Sequence, residues 1–365
     1  HHGTAVTSEM EVFFDLCPCP IYAVTGSDGK TTTTTIIAEL LAAEGKTVHK
    51  GGNIGRALLP IIEEVKEDDA AVVELSSFQL ISMRRSPDVA AITNITPNHL
   101  NVHKDMQEYI DAKANLLLHQ NAFGKAVLSA DNETAKNLAP LVRGQLAFFS
   151  RREKVENGAF LREDGMLCYN DYGTVTPVVH MNDIRIPGLH NIENYLTAIA
   201  VTWGKVKPET VVKIAREFGG VEHRIELVRE LDGVKYYNNS IASSPTRVIA
   251  CLNTFAQKQI MIMGGSDKGI SFEPMADLVC EKVKLLILMG QTREKIKAAV
   301  MASPKFADSG LEIIIVNDMA EAVNTAHSHA KNGDIVSLSP ACASFDMYRM
   351  FEDRGNHFKS LVNAL

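Results

Sequence analysis

The sequence has no apolar stretch near the roughly eighteen residues that a membrane-crossing helix needs, and no secretory signal pattern. No membrane partner is expected, and the reading is of a cytoplasmic protein. A basic excess is also missing. The formal net charge of -7 provides no electrostatic footprint for nucleic acid, so an anionic ligand needs locally placed cations or metal ions. No CxxC pair occurs, and the six cysteines (Cys17, Cys19, Cys168, Cys251, Cys280 and Cys342) are scattered as free thiols usually are. Cys17 and Cys19 bracket Pro18 in CPCP, and with a single residue between them they are read as structural rather than as a zinc site. Solenoid repeats and low-complexity segments are missing too, apart from a run of threonines.

What is present is an ordinary globular composition, 45% hydrophobic and 22% charged, in 365 residues, a length that exceeds one core and predicts two domains. His1 and His2 have the look of a tag remnant and are set aside. Short β-branched runs at 21–24, 71–73, 89–92 and 126–128 alternate with helical patterns, the rhythm of a mostly parallel sheet covered by helices. From 151 to 187 the rhythm gives way to short strands and turns, read as an appended antiparallel piece. Helix resumes over 188–204. A second βα series follows VEHRIELVRELDGVKYYNNS, with strands at 259–263, 284–289, 312–316 and 334–338. The domain boundary is placed near 219–221.

IYAVTGSDGKTTTTT, residues 21–35, combines a buried strand, a glycine turn and the start of a helix whose apolar face carries Ile36, Ile37, Leu40 and Leu41. That context presents unpaired N–H groups and a helix dipole to an anion. Lys30 would reach terminal phosphates and Thr31 would offer a hydroxyl to magnesium. The common GxxxxGK[ST] pattern fails, because Val24 stands where it needs glycine. A threonine-capped surface turn is the bland alternative, and a generic P-loop kinase or GTPase stays open on these residues alone.

In KDMQEYIDAKANLLLHQNA, Asp105 and Glu108 make an N-terminal capping arrangement, and Met106, Tyr109, Ile110, Leu116 and Leu117 mark the buried stripe. Lys113 falls in that stripe. A lysine there commonly snorkels outward; the alternative is that it faces a polar site. Glu74 interrupts the apolar strand of AVVELSSFQL, and His99 follows the next strand in AITNITPNHL. Both sit toward the carboxyl ends of strands, where open α/β sheets bind ligands.

TGSDGKTT, GGNIG at 51–55, VELSSFQL, NITPNHL, EYIDAK, GLHNIEN, EHRIE and SPACASFDMYRMFEDRGNHF occur in the order seen in the Mur ligases of peptidoglycan synthesis. The chain resembles that family from about residue 7 onward, nearest to its D-glutamate-adding branch. The resemblance implies an α/β fold with a central P-loop-type ATPase domain on a mostly parallel sheet and a C-terminal Rossmann-like α/β domain. The corresponding divisions are 1–16 (tag remnant and the end of a preceding domain or linker), 17–220 (ATP-binding) and 221–365 (amino-acid-binding). It further implies an ADP-forming ligase joining D-glutamate to UDP-N-acetylmuramoyl-L-alanine through an acyl phosphate, with ATP and two magnesium sites. A monomer is expected.

Carried over by the resemblance, Lys30, Glu74, His99 and Lys113 are catalytic, and Thr31, Glu74, His99 and Lys113 serve the metals, Lys113 as a carbamate formed with carbon dioxide. Gly26, Ser27, Asp28, Gly29, Lys30, Thr31, Thr32, Asn191, Asn194, Arg224 and Asn239 would hold the nucleotide. Asn53, Ser76, Gln79, His99, His223, Ser243, Lys268, Ser344, Phe345 and Phe351 would contact the other substrates. Taken alone, Asn191 and Asn194 also suit helix capping, and Lys268 a solvated loop. The family has an N-terminal domain for the uridine diphosphate end, which the resemblance implies is missing here, so ATP binding with weak or no ligation is expected. Asn101 and Asn239 stand where many relatives carry Asp, and Ile241 and Ser243 where some carry Lys and Thr. The other readings are another Mur ligase, a folylpolyglutamate synthase-like ligase, or an inactive nucleotide-binding scaffold.

Overall fold

The computed structural model describes residues 7–97 and 102–365, and they form two compact units. The first holds residues up to Arg185 together with Leu189–Phe218; the second holds Ile186–Gly188 and Gly219–Leu365.

In chain order the first unit has strands β1 (Ile21–Thr25), β2 (Val48–Gly52), β3 (Ala70–Glu74), β4 (Val89–Ile92), β5 (Lys125–Ser129), β6 (Gln145–Ser150), β7 (Asn157–Leu161), β8 (Met166–Asp171) and β9 (Thr174–His180). They make one nine-stranded sheet in the order β2-β3-β1-β4-β5-β6-β7-β8-β9. Every residue of β1 is buried, and it pairs in parallel with β3 on one side and β4 on the other. The strand order therefore reverses at β1, and its carboxyl end opens onto the crevice where doubly wound sheets take their ligands. Helices α1 (Glu9–Leu16), α2 (Lys30–Ala43), α3 (Ser77–Leu80) and α4 (Met106–Leu118) belong to this unit, with Leu189–Thr202 and Pro208–Glu217.

The 151–187 segment is the antiparallel piece that its sequence suggests: β7 is antiparallel to β8 and β8 to β9, and β7 pairs in parallel with β6, which joins the piece to the main sheet. Gly158 permits the junction: at φ +132° a Cβ there would lie 1.8 Å from the Phe148 carbonyl oxygen.

The second unit has β10 (Glu226–Leu231), β11 (Val234–Asn238), β12 (Gln259–Met263), β13 (Val283–Leu288), β14 (Glu312–Ile315) and β15 (Ile335–Leu338), in the order β10-β11-β15-β12-β13-β14. The segment VEHRIELVRELDGVKYYN, placed ahead of the second series by its sequence, supplies β10 and β11: β11 pairs in parallel with β15, and β10 is antiparallel to it. All remaining pairings are parallel, so the loops after β11, β12, β13 and β15 leave from one edge.

That edge is held by Arg354, on the first turn of helix Phe351–Ala364 and only 1% exposed. Its Nε donates to Ser240 Oγ, its Nη1 to the Ala343 carbonyl, and its Nη2 to the Ser240 and Cys342 carbonyls, at 2.8–3.1 Å. Ser240 Oγ in turn donates to the Phe351 carbonyl. Burial pushes the guanidinium down to about 10. Replacing Arg354 with Met keeps an unbranched apolar stem but strips donors from three buried carbonyls. We expect a loss of about 3 kcal/mol of stability, read as a lower urea midpoint by far-ultraviolet circular dichroism. An unchanged midpoint would mean that the cage does not hold this edge.

Candidate functional site

The loop after β1 is shaped for an anion. Gly29 is the N-cap of α2 at φ +79°, and no side chain caps the helix, so its first N–H groups and its positive dipole end face outward. Gly26, at φ +152°, passes so close to β4's exit that a Cβ would lie 1.9 Å from Thr93 Oγ1. Residues following β4 brace the loop. The Asn94 carbonyl accepts the Ser27 N–H and Asn94 Oδ1 accepts the Asp28 N–H, while Thr93 Oγ1 donates to the Asp28 carbonyl. Ser27 Oγ donates to the Thr96 carbonyl and lies 3.0 Å from Tyr109 Oη. Lys30 Nζ donates back to the Ser27 carbonyl, and Thr31 and Thr32 lie half-buried at the helix start.

Behind the loop stand Asn191 and Asn194 of helix Leu189–Thr202, both buried. Thr33 Oγ1 donates to Asn194 Oδ1, and Asn194 Nδ2 donates to Asn191 Oδ1. A Cβ on Gly29 would fall 2.5 Å from that same Asn194 oxygen. The asparagines thus back the loop through the side-chain face of α2, a role distinct from capping.

Lys113 does not snorkel. Only 1% exposed, it turns inward, where Nζ donates to the Gly26 carbonyl at 2.9 Å and to Thr25 Oγ1 at 3.2 Å, and sits 4.6 Å over the Tyr109 ring. Thr25 Oγ1 passes its own proton to the Leu75 carbonyl. Burial above all, and then repulsion from Lys30, push the amine down to about 7, against the pull of Glu74 and Asp28. The capping of α4 by Asp105 and Glu108 is as expected: Asp105 is the N-cap and accepts the Glu108 N–H, and the Glu108 carboxylate accepts the Lys104 N–H.

Glu74 ends β3 beside this group and is 1% exposed. Its Oε1 accepts from Asn53 Nδ2 at 2.8 Å, whereas its Oε2 is buried with no hydrogen-bond partner among the described residues. An orphaned carboxylate oxygen of this kind suits a hard divalent cation, which takes one or two carboxylates and fills its remaining positions with hydroxyl, water or phosphate oxygens. Among the described residues no three His, Cys, Asp or Glu side chains converge as a metal cluster. His99 and Asn101 lie outside the described residues. Ser76 and Gln79 form a reciprocal capping box on α3, Ser76 Oγ accepting the Gln79 N–H and Gln79 Oε1 accepting the Ser76 N–H.

His103 was not singled out by its sequence. It is buried, with Nε2 2.9 Å from Ser77 Oγ, Nδ1 3.2 Å from Glu108 and its ring stacked on Phe78. It therefore ties the segment before α4 to α3. Its signal was faint: one histidine in a polar turn.

In the second unit the predicted residues separate into exposed and enclosed. Lys268 is exposed in the loop after β12, and Ser243 is half-buried after β11. Ser344 is buried after β15, with Phe345 beside it 73% exposed. Ser266 N–H donates to the Ala343 carbonyl, which sets the Lys268 loop against the Ser344 loop. His223 is buried, edge-on to Phe351, and Asn238 Nδ2 lies 2.9 Å from its Nδ1. Burial lowers the His223 imidazole. Asn239 is enclosed, accepting the Ile225 N–H and donating to Ser339 Oγ. Arg224 stands between His223 (φ +62°) and Ile225 (φ +47°), two left-handed residues of which the β-branched one is costly.

Residues 24–202 match the Mur ligase middle domain, and 223–342 the glutamate ligase domain of the same ligases. The chain is 51% identical over 365 residues to the UDP-N-acetylmuramoylalanine–D-glutamate ligase of Acetivibrio thermocellus and 50% identical over 366 to that of Ruminiclostridium cellulolyticum; in both cases the match covers 100% of this chain and 78% of the relative. Among solved structures, MurF from Acinetobacter baumannii superposes with a TM-score of 0.68 at 16% identity, covering 98% of this chain and 79% of that one. The UDP-N-acetylmuramate–alanine ligase MurC of Thermotoga maritima gives 0.63 at 17% identity, covering 97% and 78%. These two likenesses establish the fold: mixed α/β, with large, mostly parallel sheets.

Lys113 should leave a pH signature. The unfolded chain keeps this proton up to the ordinary value of 10.5, whereas the folded chain sheds it near 7. The unfolded state thus binds more protons between those values, and stability should rise with pH across that window. In Lys113→Met the rise should be shallower, measured as urea midpoints at about pH 6.5 and 9.5 relative to the unsubstituted chain. Equal slopes would place the charged amine in contact with water.

Proposed function

The chain belongs to the Mur ligase family, and we propose that it joins D-glutamate to UDP-N-acetylmuramoyl-L-alanine at the expense of ATP, as a monomer in the cytoplasm. The observation that carries this reading is the orphaned, buried Glu74 Oε2 beside an anion-shaped loop and an inward-facing lysine. The activity for which the half-identical relatives are named supports D-glutamate as the incoming amino acid.

The chemistry has to bring a carboxylate onto a triphosphate, two anions that repel. A carboxylate oxygen of the muramoyl alanine attacks the γ-phosphorus and ADP departs, leaving an acyl phosphate. The D-glutamate nitrogen then attacks the acyl carbon, loses a proton, and inorganic phosphate leaves. Positioning and charge neutralisation supply most of the help such a reaction needs. In this assignment the N–H groups from Gly29 to Thr32 and the Lys30 ammonium hold the phosphates, with Gly26, Ser27 and Asp28 shaping the loop and Lys30 turning from the Ser27 carbonyl onto the phosphates. Magnesium at two sites would supply positive charge between the phosphate oxygens; Thr31, Glu74 Oε2, His99 and a modified Lys113 are assigned to hold it.

Lys113 suits that modification because half-neutral amines attack carbon dioxide. The nitrogen lone pair bonds carbon, a proton leaves, and an ammonium that would repel a cation becomes an oxygen-bearing anion. In the second unit, Lys268, Ser243, Ser344, Phe345 and Phe351 are assigned to D-glutamate, and His223 to the substrate side. Arg224 and Asn239 are assigned to the nucleotide, although Asn239 has both ends of its amide engaged within the fold. Asn53, Ser76 and Gln79 are assigned to the muramoyl substrate.

Calorimetric titration with a non-hydrolysable ATP analogue and magnesium should show binding that weakens at least about tenfold in Lys30→Ala, the effect of losing one charge-assisted contact. Equal affinities would remove Lys30 from the phosphates. With ¹³C-bicarbonate and magnesium, one lysine carbamate resonance should appear and be lost in Lys113→Ala; a spectrum without it would leave Lys113 an amine.

A further inference from the structure

Cys17 and Cys19 face each other. Cys17 is the C-cap residue of α1, its N–H held by the Phe13 carbonyl, and Cys19 lies in the core of the first unit. Their sulfurs are 3.6 Å apart, and Cys17 Sγ lies at the same distance from the Cys19 carbonyl. Pro18 and Pro20 limit the backbone between and after them, and Ile21 N–H is pinned to Asp88 Oδ2. Cys17 is half-buried while Cys19 is 4% exposed, so reagents meet one sulfur and find the second behind it. The other four cysteines are buried, none of them paired with another cysteine.

We propose that Cys17 and Cys19 form a dithiol site for low-molecular-weight disulfides, which close it into an intramolecular Cys17–Cys19 disulfide. The thiolate of Cys17 attacks one sulfur of RSSR, breaking that S–S bond and releasing RS⁻, so that Cys17 carries the mixed disulfide. Cys19 gives its proton to the released thiolate, and its sulfur attacks Cys17 Sγ and expels the second RS⁻, which takes a proton from water. One small disulfide is reduced to two thiols, and two cysteines are oxidised. The sulfurs must approach from 3.6 Å to a bond of about 2.05 Å. The hydrogen bond between the two sulfurs favours the attacking thiolate on the outer residue, and that same bond, and then burial, disfavour it on the inner one. Two sulfurs without a third protein ligand make a poor zinc site, in keeping with the lack of any His/Cys/Asp/Glu trio among the described residues. The dithiol precedes β1 by two residues, so it sits at the root of the strand that delivers the phosphate loop.

The folded full chain is incubated with glutathione disulfide, alkylated and digested for mass spectrometry. The peptide holding both residues should lose two hydrogens and carry no glutathione, while the other four cysteines stay reduced. Cys19→Ser should trap a stable glutathione adduct on Cys17. Cys17→Ser, a change at the half-buried position that leaves the core intact, should leave Cys19 unmodified. Accumulation of glutathione on Cys17 in the unsubstituted chain would overturn the proposal, as would oxidation of the pair no faster than of the four buried cysteines.

Discussion

A buried lysine whose acceptors are a hydroxyl and a carbonyl sits beneath the glycine loop after β1, and the geometry around it follows from satisfying its amine. Lys113 Nζ has the Gly26 carbonyl and the Thr25 hydroxyl as acceptors, so the chain must turn at Gly26 and run back toward Thr93. Thr25 then donates onward to the Leu75 carbonyl, just beyond Glu74. Helix α4, strand β1 and the exit of β3 are thereby fixed to one another by an amine that burial brings down to about 7. Moving the amine outward would leave a buried hydroxyl and a carbonyl to find other donors.

The second unit solves a similar problem with a different cation. Arg354 is surrounded by carbonyls and a serine rather than by a carboxylate, and its planar fork reaches two loops at once, one of which returns to the start of the helix through Ser240 Oγ and the Phe351 carbonyl. Lysine could not span those acceptors. The unit thereby presents Ser344 and the Lys268 loop from a rigid sheet edge, leaving the neighbouring Phe345 ring in solvent. Loops that carry polar recognition on a fixed scaffold are the usual arrangement for binding.

Much of this was legible beforehand, and the misses have physical reasons. Strand β1, the glycine turn and α2 were readable because apolar β-branched residues, a left-handed glycine and a helix face follow one another without interruption. The spacing on α4 placed Lys113 in the buried stripe, but periodicity states which face a residue occupies and not which way a long side chain turns. The same 3.6-residue logic, applied to Phe351, Arg354, Phe358 and Val362, would have flagged Arg354 as a buried cation. Strand β2, VHKGG, was invisible: two glycines, a histidine and a lysine carry little strand propensity, and it survives as an edge through its pairing with β3. The continuity of β6 with β7 depends on one close backbone approach at Gly158, a tertiary fact that no local pattern encodes. Strain at His223 and Ile225 was equally hidden, since neither residue type announces a left-handed backbone.

The contact between Thr33 and Asn194 joins residues 161 positions apart. During synthesis, β1, the glycine turn and α2 emerge long before the helix that backs them, and their loop-closure entropy is recovered only once that helix docks. Local pairing can form the turn early, but its final side-chain wall arrives with Leu189–Thr202. A chain interrupted on the ribosome before residue 194 would hold a glycine turn with its outer bracing alone. The finished shape of this loop is in this sense a late property of the nascent protein, set by the order in which the polypeptide leaves the exit tunnel.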